Sequence, residues 1–184
     1  GWRDEELLAA EELQTILETI SGARLPIVRA EGETIPAGPA ILIGAALARA
    51  AGQGARLEGL DRDGYFIRVE GERLFLAGIR ARGALYAAYT FLESLGCRWV
   101  MPGPFGELYP ELKTIATTLD RRDNPGHRER YWWCTYGHKP EYERWTLRNK
   151  GNFLRTPDDP MVRQSHALAQ PLHGGEARKQ WLEA

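Results

Sequence analysis

The sequence predicts an α+β fold: a mixed or antiparallel sheet with helices packed on one of its faces, followed by the opening βα unit of something larger. Three observations predict it. Apolar residues recur at helical spacing in two segments, Leu13, Ile16, Leu17 and Ile20, then Leu85, Ala88, Tyr89, Leu92 and Leu95. Between them, Gly64–Gly78 alternates in character around a glycine turn, the mark of a β-hairpin. Beyond Gly126 an aromatic, β-prone run leads directly into a second helical pattern.

The first helix is predicted over Asp4–Ser21. Asp4 is a plausible N-cap, Glu5 and Glu6 suit the positive helix end, and Gly22 stops it, with Leu7 and Ala10 extending the apolar face backward. Leu25–Val28 is β-prone, but Pro26 confines it to an edge or a strand start. Glu31–Pro39 reads as a loop. Ala40–Gly44 is a short apolar run that reads as a buried strand, and Ala45–Ala51 as a short helix ended by Gly52. In the hairpin, Tyr65, Ile67 and Val69 alternate with Phe66, Arg68 and Glu70 before the chain turns at Gly71 into Leu74–Ala77. The second long helix is predicted over Arg82–Leu95, with Gly96 placed to end it. Cys97–Met101 and Ile115–Leu119 are the remaining strand candidates, and Asp123-Asn124-Pro125-Gly126 is turn chemistry that fits a domain boundary.

After that boundary, Arg130–Thr135 is β-prone and Pro140 can open a helix through Asn149. One such βα unit cannot bury both of its faces, since a parallel strand needs neighbours. Only a weak helix at Glu176–Leu182 follows.

Composition narrows the function classes. Of 184 residues, 43% are hydrophobic and 27% charged, and 24 basic against 25 acidic side chains leave a net −1. That balance speaks against a nucleic-acid partner, and the longest apolar runs are far short of the roughly 20 residues that span a bilayer. Two cysteines cannot build a disulfide framework. The near-neutral total conceals a seam: 12 basic and 17 acidic residues precede position 121, whereas 12 and 8 follow, with four of the six tryptophans. The chain opens Gly1-Trp2 rather than with Met, as expected of a processed terminus; no signal peptide is visible in it, and an upstream one could have been removed.

Few residues suggest chemistry by pattern alone. Glu141/Glu143 and Asp158/Asp159 are the paired carboxylates, but an exposed helix surface and a proline-flanked loop are expected to make them solvated pairs rather than a catalytic acid and base. The four histidines form no ligand spacing, so no metal and no cofactor are expected. Cys97 and Cys134 read as buried, inert thiols, with a bridge conceivable only outside the cell. Gly52-Gln53-Gly54 lacks the strand-then-helix context of a phosphate loop. Trp132-Trp133 could stack on a sugar face, against the commoner fate of packing in a core.

One stretch carries a resemblance. It runs Asp63-Gly64-Tyr65-Phe66-Ile67-Arg68-Val69, then Leu74-Phe75-Leu76-Ala77-Gly78, then Arg82-Gly83-Ala84-Leu85-Tyr86-Ala87-Ala88-Tyr89-Thr90-Phe91-Leu92-Glu93, and closes with Leu95-Gly96-Cys97-Arg98-Trp99-Val100-Met101-Pro102-Gly103. This resembles the small α+β domain that precedes the catalytic barrel in α-glucuronidases and β-N-acetylhexosaminidases. It looks closest to bacterial α-glucuronidase-like proteins. The ordered combination is more specific than its short parts, and Ala87 departs from the glycine that many relatives carry.

The resemblance implies an accessory domain over 1–123 and the start of a catalytic (β/α)₈ barrel over 124–184. Arg130–Thr135 would be the first barrel strand and Pro140–Asn149 the first barrel helix. The acid and base carboxylates would come from later strands, so this chain is expected to lack them and to be inactive by itself. The partners implied are a carbohydrate bound by the barrel and the barrel itself, packed against the accessory domain. Two substrate contacts are suggested, both on the resemblance. Arg130 sits where related hexosaminidases use a first-strand arginine to hold sugar hydroxyls, and His138 follows the end of that strand, where a ligand-facing loop would lie. The resemblance points to a secreted or periplasmic protein. Two other readings stay open at this stage: a noncatalytic carbohydrate-binding module, and a free-standing α+β interaction domain.

Overall fold

The computed structural model describes residues 4–30, 34–128, 130 and 140–152. Helix α1 (Glu5–Ser21) forms where the apolar spacing predicts it. Asp4 caps it, its carboxylate accepting the Leu7 N–H at 3.2 Å, and Gly22 ends it at φ 75°. Its buried stripe runs back through Leu8 and Ala9 rather than Leu7 and Ala10, because those positions lie four residues before Glu12 and Leu13. Glu12 is thus a charged residue inside an apolar stripe.

Along the chain follow β1 (Ala40–Ile43), α2 (Ala45–Ala50), β2 (Tyr65–Glu70), β3 (Arg73–Gly78), α3 (Ala81–Ser94), β4 (Arg98–Trp99), β5 (Glu107–Leu108), β6 (Asp120–Asp123) and α4 (Pro140–Arg148). Four strands make one mixed sheet in the order β1-β3-β2-β6. β1 lies parallel to β3, while β2 is antiparallel to both β3 and β6. The β2–β3 turn has two residues, Gly71 and Glu72, and Gly71 adopts φ 59° without the strain a side chain would bring.

The sheet is covered on both faces, which corrects the expectation of helices on one. Ile67 and Leu76 face α3, and α1 packs against α3 and reaches β1. On the other side Leu42, Phe66, Phe75 and Ala77 form a second core with Ala45 and Ala48 of α2 and with Leu57 and Leu60. The physical reason is in β3 itself. Leu74-Phe75-Leu76-Ala77 is apolar at both parities, so each face needs a cover.

Three strand expectations change. Leu25–Val28 has no ladder: Pro26 lacks a donor, the Leu25 carbonyl accepts from Gln14 Nε2 at 2.6 Å, and Val28 is 80% exposed. Cys97–Met101 shrinks to the two residues of β4, which pair with β5, because Pro102 and Pro104 turn the chain immediately afterward. Ile115–Leu119 is not a strand; the Thr117 hydroxyl takes the Leu119 N–H at 3.1 Å in place of a ladder bond. The edge strand is instead the polar β6, whose register against β2 is accompanied by ion pairs from Asp120 to Arg56 and Arg68.

Helix α4 forms as predicted, and with Arg130 it belongs to the same compact unit as the sheet, Gly1–Phe153. The expected strand beyond Arg130, the loop with His138, the Trp132-Trp133 pair, Cys134, Asp158/Asp159 and the helix at Glu176–Leu182 lie outside the described residues. Among the described residues, no helix is long and apolar enough to cross a membrane.

Candidate functional site

The resemblance-bearing motif is a packing device. Gly83, in the first turn of α3, lies against Gly78 at the end of β3 and the carbonyl of Gly64. A Cβ on Gly78 would stand 2.5 Å from the Gly64 oxygen and 2.6 Å from the Gly83 Cα, both backbone atoms. Only glycines let helix and strand approach so closely. That approach sets the residues around Gly83. Arg82 turns to Glu5 of α1 with Nε–Oε1 at 2.9 Å, Leu85 fills the core, and the buried Tyr86 hydroxyl donates to the Gly151 carbonyl at 2.8 Å.

Tyr86 therefore meets the segment after α4, and α4 itself is fastened by charge. Arg148 is buried, donating from Nε to Glu12 of α1 at 2.8 Å and from NH1 to Glu107 of β5 at 2.7 Å. Arg144 adds a 3.4 Å contact to Glu12. The Arg148 guanidinium lies 5.4 Å from the centre of the Trp99 ring, and Tyr89 meets that ring edge-on at 5.6 Å. Trp145 Nε1 and Asn149 Nδ2 both donate to the Trp99 carbonyl, at 2.9 and 3.0 Å.

Electrostatics follow from this packing. Burial works to lower the Arg148 pKa, but the Glu12 charge and its hydrogen bond, with Tyr109 and Glu107, outweigh burial and hold the guanidinium protonated. Burial likewise pushes Glu107 up, yet hydrogen bonds from Tyr109 and Arg148 bring it below the ordinary carboxylate value. Tyr109 is pushed up to about 12, by burial and by donating to Glu107 at 2.6 Å. Burial and the Glu12 charge raise Tyr89 well above a normal phenol.

Arg130 joins a second cluster, at the turn just beyond the C-terminal end of α4. Its NH2 meets Asp63 Oδ2 at 2.6 Å, its Nε donates to the Lys150 carbonyl at 2.7 Å and its NH1 to the His127 carbonyl at 2.7 Å. The guanidinium also stacks over Tyr86 at 5.6 Å. Lys150 holds φ 60°, turning the chain out of α4, and its ammonium pairs with Glu93 of α3.

A cleft of about 280 Å³ opens between the β4–β5 hairpin and α4, lined by Trp99, Met101, Glu107, Pro140, Arg144 and Trp145 among others. Glu107 is held ionised against Arg148, which unfits it as a proton donor. Glu141 and Glu143, on the first turn of α4, do not converge on a buried acid. Among the described residues no group of three His, Cys, Asp or Glu side chains could hold a metal ion. Cys97 is buried, and its thiol is pushed up to about 11 by burial, which keeps it unreactive.

Glu12, Asp63, Glu107 and Asn152 were not singled out from the sequence. Only Glu12 left a signal there, as the one charge on the buried face of α1 between Leu8 and Ile16. Arg130 is brought to Asp63, and His138 lies outside the described residues.

Comparison with known proteins agrees with the motif. Residues 4–91 match the family model described as Glycosyl hydrolase family 67 N-terminus. A curated relative, "Probable alpha-glucuronidase A" of Aspergillus terreus, is 32% identical over 87 residues, which cover 47% of this chain and 10% of that protein. The matched region thus spans about a tenth of the relative's length. The relative is fungal, so the match lends no support to a bacterial origin. No solved structure matches. Residues 4–91, which run from the α1 cap to the end region of α3, are thus similar to the N-terminal domain of α-glucuronidases.

Proposed function

We propose that residues 1–123 are the accessory domain of a glycoside hydrolase and that 124–184 begin its catalytic barrel, with α4 as the first barrel helix. The accessory domain braces that barrel, and hydrolysis belongs to carboxylates on later strands. The substrate of the whole protein is a glycoside, and the name of the relative favours an α-glucuronide among glycosides.

The observation that carries the bracing role is the burial of Arg148 between Glu12 and Glu107. A helix that merely trailed from a finished domain would have no use for a buried arginine. Desolvating that charge is costly unless its partners are fixed in advance, and α1 and β5 supply them from the accessory domain. Such an arrangement sets the position of α4 rather than simply covering it. His138, by the same reading, falls on a loop at the ligand-facing end of the first strand.

The test has two arms. The purified 184-residue chain should give no turnover of aryl glycosides, aryl α-glucuronide included, and robust turnover would overturn the assignment of chemistry to later strands. The reading frame of the gene beyond codon 184 should continue into further βα repeats with carboxylates at strand ends. A stop codon there would overturn the barrel reading.

A further inference from the structure

Arg130 and Asn152 lie side by side although α4 separates them in sequence. The Asn152 N–H donates to the Arg130 carbonyl at 2.8 Å, and the Arg130 N–H donates to Asn152 Oδ1 at 2.8 Å. Asn152 Nδ2 donates to the Arg128 carbonyl at 2.5 Å and reaches Asp63 Oδ2 at 3.4 Å. Asp63 thus touches both sides of the junction, since the same oxygen takes the Arg130 guanidinium at 2.6 Å. Asp63 and Arg130 are both largely shielded, with side chains 17% and 18% exposed.

The geometry has a direction. A backbone bond between a segment entering a crossover and one leaving it is how a parallel pair begins, and α4 is a helix of the kind that such a crossover uses. Arg130 precedes α4 and Asn152 follows it, the places at which, on the barrel reading, strands would begin. In a (β/α)₈ barrel the chemistry sits at the C-terminal ends of strands, and the N-terminal face serves stability.

We infer that Asp63 is a positioning residue: through Arg130 and Asn152 it pins the two chain segments that flank α4, the first barrel helix of that reading, to the accessory domain. This rests on the barrel reading above. Arg130 is then a strut rather than a sugar ligand. To hold a sugar its guanidinium would have to leave a carboxylate and two carbonyls that already take its donors.

Amide hydrogen exchange on the whole 184-residue chain tests this with Asp63→Ala and Asp63→Asn. In Asp63→Ala the Asn152 and Arg130 amides should exchange about tenfold faster or more, while amides of α4, β2 and β3 change by less than about twofold. Arg130→Ala should expose the same two amides, and the double variant should add little to either single one. Unchanged exchange at both amides in Asp63→Ala would overturn the inference. So would equal acceleration across β2 and β3, since Asp63 would then be supporting the fold at large. Should the alanine variant fail to fold, Asp63→Asn, which keeps the shape but not the charge, decides on the same two amides. The exchange pattern does not depend on glycosidase chemistry. A stop after codon 184 together with exposed Asn152 and Arg130 amides would remove the barrel reading and leave the Asp63 clamp standing.

Discussion

The β2–β3–α3 unit and the seam around α4 are both buried, yet they are held by opposite means. The first is apolar and nearly contiguous in sequence, closed by the Gly64, Gly78 and Gly83 contact. The second is charged and assembled from far apart: Arg148 reaches Glu12 across 136 positions, Arg130 reaches Asp63 across 67, and Lys150 reaches Glu93 across 57. The difference fits a division of labour. The first relies on non-directional burial and close backbone approach, whereas the second relies on directional bonds, which fix orientation.

The sharpest way to break that contrast is to overfill the glycine contact. Gly78→Ala puts a methyl group against two backbone atoms that cannot rotate away, the Gly64 oxygen at 2.5 Å and the Gly83 Cα at 2.6 Å. We expect a loss of about 3 kcal/mol or more in urea unfolding. A loss below about 1 kcal/mol would show that helix and strand can separate at little cost, and the glycine argument would fail.

The seam should respond almost as strongly, by a different route. Glu12→Ala leaves Arg148 buried with Glu107 as its remaining anionic partner among the described residues, and about 2–3 kcal/mol should be lost. Replacing both members, as in Glu12→Leu with Arg148→Met, should recover most of that loss, because well-packed apolar pairs can substitute for buried ions. What should not recover is the fixed placement of α4, read as the near-ultraviolet circular dichroism of Trp99 and Trp145. A double variant with both native stability and native tryptophan signal would reduce the seam to ordinary packing.

These two regions also explain what the sequence could and could not disclose. The periodicity of α1 and α3, the alternation in β2 and the turn at Gly71 are local, so spacing alone finds them. Even the double cover of the sheet was written in Leu74–Ala77, as apolar residues at both parities. Nothing local marks Asp63 or Glu107, whose partners sit on elements brought together only by the fold. β6 escaped for a related reason: Asp120-Arg121-Arg122-Asp123 has no hydropathy signal, and its pairing is accompanied by Arg56 and Arg68, residues distant in sequence. Glu12 was legible in principle, since a lone charge on a buried stripe asks for a buried partner.

Acidity sharpens the comparison further. Glu107 has its pKa lowered from 4.5, because Tyr109 and Arg148 overcome the opposing effect of burial. A group with a lowered folded pKa adds stability that is full above its unfolded value and is lost as pH falls through the folded one. Glu107→Gln should therefore cost about 1 kcal/mol at pH 7, and the gap from the parent should close as pH falls below about 4.5. Urea midpoints across that range measure it. A gap that stays constant down to pH 3 would mean that the carboxylate contributes shape, not charge.

The smallest effect is expected where the ion pairs look best. Asp120 takes both terminal Arg56 nitrogens, at 2.6 and 2.9 Å, and Arg68 Nη1 at 2.8 Å. By distance alone this cluster equals the one around Arg148. It differs in solvent: the Asp120 side chain is 47% exposed, against 7% for Glu12. Water already stabilises these charges when they are apart, and salt screens them when they are together. Asp120→Ala should lower stability by less than about 1 kcal/mol, and added salt should shrink even that. A loss as large as that of Glu12→Ala would mean that contact geometry, rather than desolvation, decides the worth of these pairs. The case for Arg148 as the anchor of α4 would then lose its physical basis, because the surface of β6 would anchor its neighbours just as well.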